Sequence, residues 1–191
     1  MLEKLPAGLG RALRTARPGL SQTLFHDAEI SGDVAAITVT SSEFDNDGEM
    51  PVRFTEDGAR VSPPIAWTGV PVDAASVILV IEDADSPTPA PLVHAIIWNL
   101  PPSDGVLDEG AMRSDASEGE GLSMGKNSFM SAKYLPPDPP PGHGPHRYAI
   151  QVFALNTRPD LGANPGRNRL IEHLKSHVLA KGLLIGTYER L

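Results

Sequence analysis

Apolar and polar positions change rhythm along this chain. At the N-terminus apolar residues recur in steps of three and four, at Leu2, Leu5, Leu9, Leu13, Ala16 and Leu20. Pro6 suits a first helical turn and Pro18-Gly19 stops the pattern, which predicts an amphipathic helical extension over residues 1–22. From residue 36 the period falls to two. Ile37 to Val39, Val52 to Phe54, Val77 to Ile81, His94 to Trp98, Tyr148 to Leu155 and Leu183 to Tyr188 are short, rich in β-branched residues and bounded by Pro, Gly and Asp, the signature of strands. Near the C-terminus Asn164-Pro165 opens a second helical pattern, with Leu170, Ile171, Leu174 and Val178 on one face and Gly182 placed to close it.

Together these segments predict a mainly β, antiparallel domain over residues 36–191 with one helix at each end of the chain. No internal repeat divides it. The stretch 104–145, carrying Asp104-Gly105, Glu118-Gly119-Glu120-Gly121 and Pro136-Pro137-Asp138-Pro139-Pro140-Pro141, has little periodicity of its own. Connections of that length inside a domain are usually functional or mobile.

Composition narrows the function classes. A chain of 191 residues suits one domain, and 18 Gly with 19 Pro favour strands joined by turns. With no Cys, disulfides and thiolate metal sites are excluded, as suits a reducing compartment. No signal peptide opens the chain and no apolar run reaches the roughly 18 residues of a membrane span, so a cytoplasmic protein without stable membrane insertion is expected. A formal charge of −8 repels nucleic-acid phosphates. The one basic segment is the first, where Lys4, Arg11, Arg14 and Arg17 oppose Glu3. Its helix is expected to pack on the domain or on a second subunit, which would make a homodimer.

Polar groups at strand ends carry the candidate chemistry, because loops there display side chains from a rigid sheet. If Val77 to Asp83 and His94 to Asn99 are antiparallel neighbours joined by the 84–93 loop, Asp83 ends one strand where His94 begins the next. In the third strand, alternation puts His146, Tyr148, Ile150 and Val152 on one face and Arg147, Ala149, Gln151 and Phe153 on the other. His146 and Tyr148 then point together, and Arg147 serves as an ion-pair partner. Gly142 and Gly144 are expected to bring backbone N–H groups close to a small ligand, and Asp85 to shape a turn before Pro87.

Asp83-Ala84-Asp85-Ser86-Pro87, the His94 run ending Trp98-Asn99-Leu100-Pro101, Pro139-Pro140-Pro141-Gly142-His143-Gly144-Pro145-His146-Arg147-Tyr148 and the earlier Ser62-Pro63-Pro64-Ile65-Ala66-Trp67 resemble the phosphatidylethanolamine-binding protein family, in particular its bacterial, Raf-kinase-inhibitor-like branch. The resemblance implies an antiparallel β-sandwich with a few peripheral helices. It also implies a pocket for phosphate-like or other small anions at Asp83, Pro87, His94, His146 and Tyr148, and, from some relatives, a role in modulating a kinase or a protease. Where the family usually has Asp-Pro-Asp-Ala-Pro, this chain has Ala84 and Ser86. Leu92 and Val93 stand where aromatic or imidazole side chains commonly precede the binding histidine. These departures bear on lipid head-group selectivity.

The chemistry agrees with that implication. An anion in a partly buried pocket must be met by donors, which imidazolium N–H, phenol O–H and backbone N–H groups supply. The expected function is therefore non-catalytic binding of a small anionic or phosphate-bearing ligand, such as a phosphoethanolamine-like head group, with no cofactor. An interaction module acting on a kinase or protease is the alternative. A hydrolase in which Asp83 with His94 or His146 activates water or Ser86 ranks last. Gly121-Leu122-Ser123-Met124-Gly125 matches a nucleophile elbow by chance, lacking the buried strand before it. His173 and His177 stand four apart without a third ligand, and Asp45-Asn46-Asp47-Gly48 lacks the rest of a calcium loop.

Overall fold

The computed structural model describes residues 6–30, 34–113 and 122–191. Leu2, Glu3, Lys4, Leu5 and the run Glu118-Gly119-Glu120-Gly121 lie outside the described residues. In chain order the elements are α1 (Ala7–Ala12), β1 (Ala35–Ala36), β2 (Thr38–Thr40), β3 (Gly48–Glu49), β4 (Ile65–Thr68), β5 (Ser76–Asp83), β6 (Leu92–Leu100), β7 (Gly105–Leu107), β8 (Ser123–Met124), β9 (His146–Leu155), α2 (Arg167–Leu174) and β10 (Val178–Tyr188).

Strands β5 and β9 are buried along nearly their whole length. Their near-continuous apolar runs are what a strand covered on both faces requires. They lie side by side at the centre of a seven-stranded sheet of order β1-β10-β9-β5-β6-β8, with β3 also on β10. A second, three-stranded antiparallel sheet runs β2-β4-β7. One face of the large sheet gives Val77, Leu79, Ile81, Ile97, Ile150 and Val152 to a core cluster that also takes Val39, Ile65, Trp67 and Leu107 from the small sheet. The other face gives Ile78, Val80, Ile96 and Phe153 to a cluster with Leu24 and Ile30 of the N-terminal segment and Leu170 and Leu174 of α2. Each such side chain, fully buried, contributes about 1.5–3 kcal/mol.

Four expectations are corrected. The large sheet is mixed, because β1 and β3 pair parallel to β10 at Ala180, Lys181, Gly186 and Thr187; these two-residue strands cover an edge that would otherwise be long and open. Val52 to Phe54 is a 3-10 turn, closed by Phe54 N–H to the Pro51 carbonyl at 3.0 Å, after a proline whose fixed φ starts the turn. The C-terminal helix ends at Leu174, so Val178 opens β10 and Gly182 sits inside that strand opposite Val152. There a Cβ would collide with the Ile37 carbonyl oxygen. His177 consequently lies beyond the helix, so the helical spacing with His173 does not form, although the two rings sit 4.6 Å apart.

The N-terminal helix is shorter than predicted, and its described part is fastened to its own domain. Gly10 meets the Pro141 backbone where a Cβ would clash, while Leu9 is left 45% exposed. Beyond the helix, Gly19 N–H bonds the Ala84 carbonyl at 2.8 Å. Leu24 N–H reaches Glu82 at 2.9 Å and Phe25 N–H reaches Gln151 at 2.6 Å. Glu82 is fully buried in β5 and is satisfied by that amide, by Gln151 Nε2 at 2.9 Å and by Arg167 Nε at 2.6 Å from α2. One carboxylate thus joins the sheet, the N-terminal segment and the helix. Glu82→Ala is expected to lower unfolding free energy in urea by about 2–4 kcal/mol, because it leaves the Leu24 N–H and the buried Gln151 amide without their acceptor and takes the carboxylate from the partly exposed Arg167. A loss of under about 1 kcal/mol would mean that water or rearrangement replaces the carboxylate.

Candidate functional site

Antiparallel pairing brings the three polar stretches to one end of the large sheet. Asp83, the last residue of β5, pairs with Leu92 of β6 on one side and Tyr148 of β9 on the other. Odd positions of β5 and even positions of β9 face the same core cluster, so Asp83, His146 and Tyr148 share a face. Strict alternation in β6 would send His94 to the opposite face. It does not, because the register passes from Ile81 opposite Ala95 to Glu82 opposite Val93, leaving His94 as an unpaired bulge residue. Bulges re-aim side chains, and here the imidazole meets Tyr148 edge-on with centroids 5.2 Å apart.

A neighbouring loop locks that imidazole. His94 Nδ1 lies 2.6 Å from the Leu135 carbonyl, and the His94 carbonyl accepts the Leu135 N–H at 2.8 Å. A carbonyl only accepts, so Nδ1 carries the hydrogen. Burial holds the His94 pKa below its ordinary value, partly opposed by the charge of Asp83. The ring is therefore neutral at neutral pH, with a lone pair on Nε2. Among the described residues that nitrogen is buried without a partner, as is the Tyr148 hydroxyl. Burial, then the charge of Asp83, pushes the phenol pKa well up, so it keeps its proton. Two unsatisfied polar atoms under one pocket are an exception that calls for a reason.

Asp83 is already occupied. Its Oδ1 accepts the Asp85 N–H at 2.8 Å and its Oδ2 meets His146 Nδ1 at 2.7 Å. From His146 the chain continues through Nε2 to His143 Nδ1 at 2.7 Å, and from His143 Nε2 to the Leu13 carbonyl at 2.8 Å. Three such bonds need three hydrogens on four ring nitrogens, one more than two neutral imidazoles hold. The histidine pair therefore carries one positive charge against Asp83. Burial lowers the His143 pKa, opposed by its bond to the Leu13 carbonyl and furthered by the neighbouring His146 and Arg17.

The resulting pocket holds about 410 Å³ and is lined by Asp83, Pro87, His94 and His146 of the predicted set, with Glu56, Ser86, Thr88, Leu92, Phe129, Leu135, Pro136 and Asp138. Its size falls within the usual range for small-molecule sites. Tyr148 is in the layer beneath, its ring between those of His94 and His146. The pocket residues between 129 and 138 belong to the stretch that had no periodicity; its length was the only signal. His143 was missed as well, although it stands in the same Gly-Pro run as His146.

Two expectations about the loops are corrected. The Asx contact belongs to Asp83, whereas the fully buried Asp85 carboxylate grips Arg147 through Nε at 2.7 Å and Nη2 at 2.8 Å, with Arg17 at 3.4 Å. That pairing fits Arg147 as an ion-pair partner. Of the two glycines, at φ of 74° and 93°, Gly142 does not offer its N–H to a ligand, because that group bonds the Arg190 carbonyl at 3.2 Å. A Cβ on Gly144 would stand 3.2 Å from the Arg17 guanidinium, so this glycine leaves room for an arginine side chain.

Comparison with known proteins gives a consistent picture. The model of the family described as phosphatidylethanolamine-binding protein matches residues 40–189. A UPF0098 protein of Methanothermobacter thermautotrophicus is 36% identical over 148 residues, covering 77% of this chain and 95% of that protein. One from Pyrococcus abyssi is 30% identical over 161 residues, covering 84% and 90%. Among solved structures, Escherichia coli YbcL, described as a new member of the mammalian family, aligns with a TM-score of 0.75 at 26% identity, covering 82% of this chain and all of that one (100%). A homolog from Chlamydia trachomatis aligns at 0.72 and 29% identity, covering 82% and 99%. Carboxypeptidase Y inhibitor, solved with its cognate proteinase, aligns at 0.51 and 17% identity over 96% of each chain, a likeness of fold alone.

The hydrogen assignments can be read directly. Imidazole nitrogen NMR at neutral pH is expected to show His94 neutral with the hydrogen on Nδ1, and three protonated nitrogens shared by His143 and His146. In His143→Ala the amides following Leu13 should exchange roughly tenfold faster, since their segment loses an anchor. Finding both of these histidines neutral would break the assigned chain of bonds.

Proposed function

This chain belongs to the phosphatidylethanolamine-binding protein family, and from that premise we propose that it binds a small anionic or phosphate-bearing ligand, without turnover, at the strand ends around Asp83, Pro87, His94, His146 and Tyr148. In this reading the two sheets form the layers of a β-sandwich and the protein works in the cytoplasm. The carrying observation is the pair of buried, unpartnered polar atoms, His94 Nε2 and Tyr148 Oη, beneath a pocket of about 410 Å³. The phenol donates to an anionic oxygen. The neutral imidazole takes up one proton and donates it to another, and the positively charged histidine pair stands behind them. Glu56 and Asp138 on the pocket wall suit the ammonium of a phosphoethanolamine-like head group.

Two other readings rest on less. Phe129 and Met130 are 54% and 70% exposed on a loop braced by Asn127, whose Oδ1 accepts the N–H of Phe129 and Ser131. This projecting apolar pair favours an interaction module for a kinase or protease as the second reading. Ser86 as a nucleophile has no such support: its hydroxyl bonds to the Thr88 hydroxyl at 2.6 Å and faces the Asp83 carbonyl at 3.5 Å, and neither is a base.

Sulfate, ionised at every relevant pH, isolates the protein's own proton in a binding test. The empty pocket holds the His94 pKa low and a bound anion raises it, so binding takes up a proton. Affinity should therefore be highest below the free-state value and fall as pH rises from about 5 to about 8. Calorimetry showing affinity constant or rising over that range would refute the role of His94. Tyr148→Phe is expected to weaken phosphate or phosphoethanolamine by about 1.5–3 kcal/mol, roughly ten- to a hundredfold in Kd. Its melting temperature should hold or rise, because the orphaned hydroxyl is gone. A variant that melts lower and binds normally would assign Tyr148 to the core alone.

A further inference from the structure

Next to the candidate pocket lies a second groove of about 560 Å³, and Glu56, Leu135 and Pro136 line both. Its remaining walls are Arg60, Val61, Ser62, Gly110, Met112, Arg113, Lys133 and Tyr134. Among the described residues three cations therefore meet one carboxylate there, in a chain whose formal charge is −8. That carboxylate, Glu56, is already bound to Arg60 at 2.8 Å. Arg113 has no carboxylate partner among the described residues. Its Nε donates to the Gly110 carbonyl at 2.7 Å, and Gly110, at φ 74°, leaves the space in which a Cβ would stand 3.0 Å from Nη2. The guanidinium is thus held back over a glycine, with its outer N–H groups uncommitted among the described residues. The Lys133 carbonyl accepts the Asn127 amide at 3.0 Å, and its ammonium has neither hydrogen bond nor ion pair among the described residues. Between the cations the groove is walled by Tyr134, whose hydroxyl is tied to the Phe54 carbonyl at 3.0 Å, and by the buried Met112.

We infer that this groove is a second anion subsite, and that the ligand is an elongated molecule carrying two separated anionic groups. One group sits over His94 and Tyr148, and the other sits on Arg113 and Lys133, with Arg60 at the rim. The spacer passes the shared wall of Leu135 and Pro136. This rests on the pocket reading above and adds the class of ligand: a small molecule with a phosphate-like group at one end and a second phosphate or carboxylate at the other. A lone phosphate would leave the second set of donors unused. Joining two anionic groups by a spacer of the right length makes the second contact intramolecular, and the gain depends on that length.

Calorimetry with methylphosphonate and with α,ω-alkane bisphosphonates of graded chain length tests this on the full chain. At the matching length the bisphosphonate should bind roughly tenfold or more tighter than methylphosphonate, with shorter and longer spacers gaining less. The double variant R113Q/K133Q, changed at two exposed side chains, should lose that gain and keep methylphosphonate affinity. His94→Ala should weaken both ligands. If methylphosphonate binds and no spacer length improves on it, or if the gain survives in R113Q/K133Q, the second subsite is overturned while the pocket stands. If neither ligand binds, the pocket reading falls first and takes this inference with it.

Discussion

A carboxylate buried among aliphatic strands costs several kcal/mol unless donors meet it, and the geometry around Asp83 follows from that constraint. The nearest backbone donor is two residues ahead, so the chain turns sharply after β5 to bring the Asp85 N–H to Oδ1. The second donor comes from His146, a neighbouring strand's first residue. That bond uses one side of the imidazole and leaves the other needing a partner, which His143 supplies and passes on to the Leu13 carbonyl. Each link satisfies one group and creates the next requirement. The chain of requirements ends just past α1 at the Leu13 carbonyl, which also accepts the Ala16 N–H at 2.8 Å.

Satisfaction of Asp83 has a consequence for its neighbours. With the carboxylate committed, it is not available to His94 or Tyr148, whose free atoms lie on the same face. Among the described residues, His94 Nε2 and the Tyr148 hydroxyl are left without partners beneath the cavity. Leaving a buried donor or acceptor without a partner costs about 1–3 kcal/mol. Binding sites commonly carry such a cost, because a group already bonded within the protein gains nothing from a ligand. The loop that includes Leu135 fixes the imidazole so that its open nitrogen keeps its direction, and ordering energy is not drawn from the ligand.

How much of this was legible in the chain differs element by element. Burial on both faces wrote β5 and β9 into near-continuous apolar runs, and the period-two reading placed His146 and Tyr148 on one face with Arg147 opposite. The bulge at His94 was hidden, because it arises from a register slip between two strands and has no glycine to mark it. The helical reading of Val178 failed because the apolar residues after Lys175 satisfy a period of four by coincidence, while pairing with β9 decides the conformation. The second role of the Gly142-His143-Gly144 run was hidden for a related reason. Glycine shows that something comes close, but here the close group was an arginine from more than a hundred positions away in sequence.

Charge finally bears on how an acidic chain is compatible with the proposed anion pocket. A net −8 acts through solvent and fades over a Debye length of about 10 Å at 0.1 M salt. It discourages large polyanions that must approach a broad surface. Donors in a pocket act at contact distance, so they outweigh the distant, screened field for a guest small enough to enter. The two carboxylates on the pocket side are not bare charges either: Asp138 holds Arg190 at 2.6 Å and Glu56 holds Arg60. The local balance is therefore set by the histidine pair and the neighbouring cations rather than by the sum over the chain, and under the proposed reading it favours small anions over nucleic acid.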